Sequence, residues 1–504
     1  MTSEAATIPE ELSQTRRYLI LVTVALCTML YAMTVTIVNV ALPQLQGALS
    51  ATPDQIAWVV TLNVVATAVV TPMTGWLVAR MGQRTVLISC VIGFAVTSLL
   101  CATAATLEPL LAYRVGQGIF GAPIVPLSQA ILLITFTGKD RAMAQGIFGM
   151  AVVVGPAVGP ALGGYLAETY NWRWIFLLIV PLCIAALAMV MLFIRQSGKG
   201  GKLKLDWTGF LALSLAIVCV QLMVDRGERL DWFESGEIIL YACGAVLGLY
   251  VLVVHTVTSD GPFLNPQLFR DRNFTIGLLL VFVYGMLNFT PITLLPPMLQ
   301  NLKGYPDSLI GLLLAMRGVG MVIGFYLAGR MGSLDPRVGL TVGMLLTGTS
   351  GAIMATFDFN VSAEAVGWVG VLQGIGTGLM WVPLTSVAFT SLPTRFMADG
   401  SALFHLLRNF GTSLFIAVSF MVVVRSAQIS HFELAQNVSP YNEALRFPSV
   451  VGHWDIGSLH GLAKLSAEVD RQAQMIGYAN AFIMYAAVCF ATIPVLLFVR
   501  VRHH

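Results

Sequence analysis

Three arginines stand in stretches too apolar to hold them cheaply. Arg114, Arg317 and Arg408 lie in otherwise uncharged runs, and His405 is one turn from Arg408. Charge inside a bilayer is costly, so each such group is a functional suspect. An imidazole also titrates in a range suited to a proton step. The competing reading is an arginine satisfied by backbone carbonyls or snorkelling to a headgroup, and a histidine that is only a packed polar residue. No carboxylate lies deep in any apolar run: Glu168, Asp225 and Asp399 sit at run ends. A cavity with arginines and no deep acid is electropositive, and in low dielectric such a field favours anions. Lipophilic weak acids are therefore the expected substrates: acidic uncouplers, fatty or bile acids, quinolone acids. Thr34, Asn39, Asn63, Gln129, Asn288 and Asn409 are polar residues on apolar runs. Each either faces that cavity, with Arg317 and Arg408, or makes a helix–helix hydrogen bond.

Reaction chemistry has no comparable support. The chain contains no GxSxG, HExxH or P-loop pattern and no ATP-binding segment, so an enzyme reading has little to stand on. The seven cysteines all fall in apolar runs without a CxxC pair and read as small core residues, neither disulfides nor metal ligands. No cofactor is expected.

The elements that carry these residues are membrane helices. Of 504 residues 57% are hydrophobic and 11% charged, which no soluble domain of this size matches. The near balance of 28 basic and 25 acidic residues gives nucleic-acid binding no electrostatic support. A helix needs roughly 20 apolar residues to cross the hydrocarbon. Fourteen such spans can be placed near 18–42, 55–79, 85–106, 109–133, 142–167, 173–194, 207–224, 236–256, 274–299, 307–330, 337–356, 365–388, 400–425 and 479–500. The expected fold is an all-α polytopic membrane protein: two six-helix bundles plus two additional helices.

Most loop Lys and Arg, among them Arg80, Arg84, Lys139, Arg141, Arg195 and Lys204, fall on the side of the N-terminus. That places both termini in the cytoplasm. Gln117-Gly118-Ile119 before Pro126-Leu127 in the fourth span recurs as Gln373-Gly374-Ile375 before Pro383-Leu384 in the twelfth, a weak repeat of the kind two-fold transporters carry. The implied division is a tail 1–17, a bundle 18–194, a basic linker with two extra spans 195–272, and a bundle 273–504 that includes an outer loop 426–478. From about Ser458 the spacing of Leu459, Leu462, Leu465 and Val469 predicts a helix running into the last span. That loop is either merely solvated or a docking surface for a partner.

The stretch Gly146–Gly164 places Gly155, Gly159 and Gly163 on one side-chain-free stripe, with Pro156 and Pro160 beside it. A bare stripe lets another helix backbone approach closely. It is either plain packing or a sliding face between bundles.

The fixed positions Gly146, Gly155, Gly159-Pro160 and Gly163-Gly164 resemble the antiporter signature of major facilitator drug exporters. Arg114 in RVGQG resembles the motif whose arginine is linked to proton transfer. Gly75 to Arg84 resembles the loop between helices two and three, with Arg80 and Arg84 kept and Ala79 where an acid is usual. The first span resembles the family's first-helix motif with Thr34 in place of Asp. Trp172-Arg173-Trp174-Ile175-Phe176, Asp225-Arg226-Gly227, Arg272-Asn273-Phe274 and Arg408-Asn409-Phe410-Gly411 resemble the fourteen-helix drug:H+ antiporter branch (EmrB/QacA type). The resemblance implies proton-coupled multidrug efflux from a bacterial inner membrane, with Arg114, Arg80, Arg84, His405 and Asp225 in coupling and gating. It also implies a tripartite system with a periplasmic membrane-fusion adaptor (EmrA-like) and an outer-membrane channel (TolC-like). A single-substrate symporter or uniporter of the same fold, and a non-transporting membrane sensor or scaffold, are the alternatives.

Overall fold

The computed structural model describes residues 13–195, 204–259, 261–332, 334–439, 441–443 and 458–499. Most of the basic linker, most of the N-terminal tail, and Pro440 and Pro448 of the outer loop lie outside the described residues. Among the described residues there are fourteen long helices and no strand. They are α1 (Gln14–Ala48), α2 (Pro53–Val70, continued by Thr71–Met73 and Thr74–Met81), α3 (Gln83–Thr103) and α4 (Leu107–Gly121 with Ile124–Thr135). Next come α5 (Gly138–Thr169), α6 (Arg173–Phe193), α7 (Trp207–Arg226), α8 (Gly236–Thr258) and α9 (Arg272–Pro297, ending at Met298–Leu302). The last are α10 (Asp307–Arg330), α11 (Pro336–Met354), α12 (Ala363–Phe389), α13 (Met397–Ala435) and α14 (Leu459–Thr492). Twelve are long and apolar enough to cross a membrane; the other two are α5 and α11. Local signals set several starts. Thr52 and Gln55 form a reciprocal capping box on α2, and the side chains of Asp206, Asp271, Ser362 and Ser458 cap α7, α9, α12 and α14.

The helices pack as two bundles with matching pairings. In the first, α1 packs on α5, α2 on α4, and α3 on α4 and α6; in the second, α9 packs on α13, α10 on α12, and α11 on α12 and α14. Helix n of the first bundle thus corresponds to helix n+8 of the second. Glycines make the close approaches: a Cβ at Gly155 would lie 2.6 Å from Met29 O, and Gly411 abuts the Phe282 carbonyl.

The bundles meet near the face that holds the start of α1, here the N-face. Gly146 on α5 lies against Phe325 O on α10, where a Cβ would come within 2.8 Å, and Gly149 lies against the Phe325 ring. Gly332 abuts Ala142, Gly75 abuts the Asp399 carboxylate, and Arg141 donates to Phe389 O at 3.3 Å.

The two additional helices form a hairpin, α7 on α8, outside both bundles. α7 packs on α2 and on α13, one from each bundle. Thr61 Oγ1 donates to Asp225 Oδ2 at 2.5 Å, Gln221 Nε2 donates to Ser413 Oγ at 3.2 Å, and Arg229 pairs with Asp54. At the N-face end the Asp206 carboxylate accepts from Gly209 N (3.1 Å), Phe263 N (2.9 Å) and His255 Nε2 (2.9 Å). Against the upward pull of partial burial, these donors hold the Asp206 carboxyl below its usual range. A Cβ at Gly248 would stand 2.7 Å from Ala216 N on α7. Gly248→Leu is therefore expected to split the hairpin, costing roughly 2 kcal/mol or more; a thermal melt of the purified protein checks it.

The long outer loop is shorter than expected. α13 continues to Ala435 and α14 starts at Leu459, so both extend past the hydrocarbon on the side opposite the N-face. At 1.5 Å per residue α13 is about 58 Å long against a core of about 30 Å. His431 Nε2 meets Asp470 Oδ1 at 3.3 Å between these extensions. The helix expected from Ser458 runs unbroken into the last span.

Candidate coupling and substrate site

Arg114 is fully buried between α4 and α2. Its Nε donates to Val59 O at 3.0 Å, its Nη1 donates to Gln117 Oε1, and Gln117 Nε2 passes the bond on to Ser98 Oγ at 2.7 Å. Asn63 Nδ2 donates to Arg114 O at 2.9 Å. The Phe176 ring closes one side, 6.0 Å from the guanidinium.

Arg317 is buried in the second bundle. Nε donates to Gln373 Oε1 (2.5 Å), and Nη2 donates to Asn288 O (2.5 Å) and Asn288 Oδ1 (2.9 Å). Gln373 Nε2 donates to the Tyr485 hydroxyl at 2.9 Å, which donates to Leu287 O at 3.0 Å. Both guanidinium groups are thus held by neutral oxygens. Neutral acceptors offset part of the desolvation cost while leaving the positive charge uncancelled.

Arg408 is half-buried on α13. Its Nη2 donates to Asn409 Oδ1 at 3.1 Å and its guanidinium lies 5.9 Å from the Trp381 ring. One turn earlier, His405 Nε2 faces Gln129 Oε1 on α4 across 2.5 Å, and Ser401 Oγ donates to the same oxygen at 3.2 Å. This joins the two bundles through fully buried polar groups. Gln129 Nε2, His405 Nδ1 and Trp381 Nε1 are buried with no protein partner. Trp381 packs on Tyr284 with ring centroids 5.4 Å apart.

The remaining expected site residues divide. Thr34 is buried, but its hydroxyl donates to Leu30 O of its own helix at 2.8 Å. Asn39 is exposed rather than enclosed, because its position on α1 lies toward the end away from the bundle contact. Arg80 is exposed with its guanidinium 5.1 Å from the Trp76 ring, and Arg84 Nη2 donates to Met191 O at 2.7 Å on α6. Asp225 is exposed and accepts from Thr61, which lies on α2 between Val59 and Asn63, the two residues that bond Arg114.

The glycine stripe needs a correction. Gly155, Gly159 and Gly163 do not face the other bundle: they lie against Met29, Met33 and Ile37 of α1, in the same bundle. It is the early part of α5, from Arg141 to Gly149, that meets the second bundle. A side-chain-free stripe says that a backbone comes close; it does not say whose. Gly164 is partly buried on the same helix, and the side chain of Pro160 lies outside the described residues.

Other residues at this site had weaker sequence signals. Gln373 was marked by the repeat alone. Asp399, noted only as an acid at a span end, presses on Gly75 where Ala79 removes the usual acid; its place in the first turn of α13 suits the helix dipole. Tyr284, Trp381 and Tyr485 carry no sequence signal of their own, and only the structure reveals their contacts.

Comparison with known proteins bears on the same region. Residues 24–416 match the family model described as Major Facilitator Superfamily. The chain is 34% identical over 429 residues to the multidrug export protein EmrB of Escherichia coli K12, covering 84% of each. It is 29% identical over 472 residues to the fatty acid resistance protein FarB of Neisseria gonorrhoeae, covering 93% of each. Among solved structures, the human organic anion transporter MFSD10 (TETRAN) has the same fold: TM-score 0.59, 14% identity, 94% of this chain and 99% of that one.

Proposed function

Since the chain belongs to the major facilitator superfamily, in its EmrB-type branch, we propose that it is a multidrug efflux transporter driven by proton antiport. The bundles rock about the central contact, opening the cleft to one side at a time. The N-face is the cytoplasmic face of a bacterial inner membrane, with both termini inside. Its contacts at Gly75, Gly146 and Gly332 then describe a state closed to the cytoplasm.

The single observation that carries the substrate reading is the set of three guanidinium groups on membrane helices, Arg114 and Arg317 buried and Arg408 half-buried. Among the described residues none of them is paired with a carboxylate. An uncancelled positive field in low dielectric favours lipophilic weak acids over cations. The relative named for fatty acid resistance supports that class. Proton coupling runs through the Arg114 site and His405, since Thr34 replaces the usual acid on α1, while Arg80, Arg84 and Asp225 serve gating. The extensions of α13 and α14 lie on the periplasmic side, where an EmrA-like adaptor leading to a TolC-like channel would dock.

Proton-driven uptake by inverted vesicles tests this, using one acidic and one permanently cationic dye. Uptake of the acidic dye by at least about tenfold over the cationic one is expected. Strong transport of the cation with none of the acid overturns the substrate class, and insensitivity of both to a protonophore overturns proton coupling.

A further inference from the structure

The n+8 correspondence can be taken to single residues. The repeat Gln117-Gly118-Ile119 and Gln373-Gly374-Ile375 aligns α4 with α12. The bare glycine faces then align α2 with α10, because the atom nearest a Cβ at Gly118 is Asn63 O and the atom nearest one at Gly374 is Arg317 O. Asn63 therefore corresponds to Arg317. Three residues before each glutamine, Arg114 corresponds to Gly370. The first bundle has Asn on its second helix and Arg on its fourth; the second bundle has Arg on its second and Gly on its fourth.

The exchange keeps the glutamine partner, while the carbonyl comes from α2 for Arg114 and from α9 for Arg317. A Cβ at Gly370 would lie 3.6 Å from the Arg317 Cβ and no closer to anything else, so the position has room for a side chain. Arg114 donates to Gln117 and Arg317 donates to Gln373, the paired glutamines of the repeat. Each also takes a backbone carbonyl from a neighbouring helix, Val59 O or Asn288 O.

We propose that Arg317 is the second-bundle counterpart of Arg114, and that anion transport needs one guanidinium between the second and fourth helices of each bundle, whichever helix supplies it. The proposal deepens the transport reading above and rests on it. A charge pair related by the pseudo-two-fold axis attracts cargo on that axis equally from both sides. The pull therefore stays constant as the bundles rock.

The test compares wild type, Arg317→Asn, Gly370→Arg and the double variant in proteoliposomes, reading counterflow of an acidic dye and of a neutral dye, with a thermal melt of each protein. Arg317→Asn, which copies the Asn63 arrangement without its arginine, is expected to lose acidic-dye flux by roughly tenfold and neutral-dye flux by less than about twofold. The double variant rebuilds the first bundle's arrangement in the second and is expected to recover acidic-dye flux to within about threefold of wild type. A double variant that melts like wild type yet stays as slow as Arg317→Asn overturns the proposal, as does a fully active Arg317→Asn. An Arg317→Asn that loses both dyes equally also overturns it, by reducing Arg317 to packing. Wild type that moves neither dye sinks the transport reading itself.

Discussion

Gly146→Leu is expected to cut export to below about a tenth of wild type while the protein still inserts and folds. The reason is where Gly146 sits. A Cβ there would come within 2.8 Å of Phe325 O, a backbone atom of the other bundle that cannot swing aside. A leucine adds three further carbons to the same space. Neither bundle's own core is touched, so each still assembles, but α5 and α10 can no longer close the N-face. The protein is then held open at the N-face. A single cysteine at Ala142 in a cysteine-free background reads this directly: impermeant maleimide should label it faster in inverted vesicles of the variant. Gly159→Leu should differ. Its neighbour is Met33 O of its own bundle, 3.0 Å from the added Cβ, so it should lower the amount of folded protein rather than trap a state. Normal export by Gly146→Leu would remove α5 from the gate.

Arg114→Leu is the second large effect, and it separates stability from transport. Removing the guanidinium leaves Val59 O and Gln117 Oε1 without their donor, at about 1–3 kcal/mol each. The change also relieves the desolvation cost of a buried charge. The two oppose, so the melting temperature should move by only a few degrees. Transport of an acidic dye should nonetheless fall by at least roughly tenfold, because the first bundle loses its share of the field that attracts it. Arg114→Lys should recover only part of the rate, since one ammonium cannot reproduce the fork that reaches both acceptors. Counterflow in proteoliposomes with parallel melts measures both quantities. Flux unchanged in Arg114→Leu would leave this arginine a packing residue.

Much of the architecture is legible along the chain because the bilayer imposes it. Apolar runs of fixed minimum length mark the helices, and an arginine inside one stands out whatever its neighbours do. Partner identity is another matter. The stripe at Gly155, Gly159 and Gly163 announces a close contact, yet its partner is α1 because chain order within a bundle does not fix which helices touch. Arg317 and Gln373 are 56 positions apart and on different helices, so no local pattern joins them. The same holds for Gly75 and Asp399, which lie in different bundles and meet in space. Where the chain repeats itself, as at Gln117 and Gln373, the sequence does carry long-range information, and both members of the pair proved to hold a guanidinium.

The hairpin of α7 and α8 makes the molecule's two flanks unequal. It straps the seam between α2 and α13, bonded to one through Thr61 and to the other through Ser413, whereas among the described residues α5 and α10 meet on the opposite seam with no such cover. A greasy solute dissolved among the acyl chains therefore finds one side door barred and one free. Cargo recruited from lipid would enter past α5 and α10, and a bulky label fixed on that flank should slow loading far more than the same label beside the hairpin.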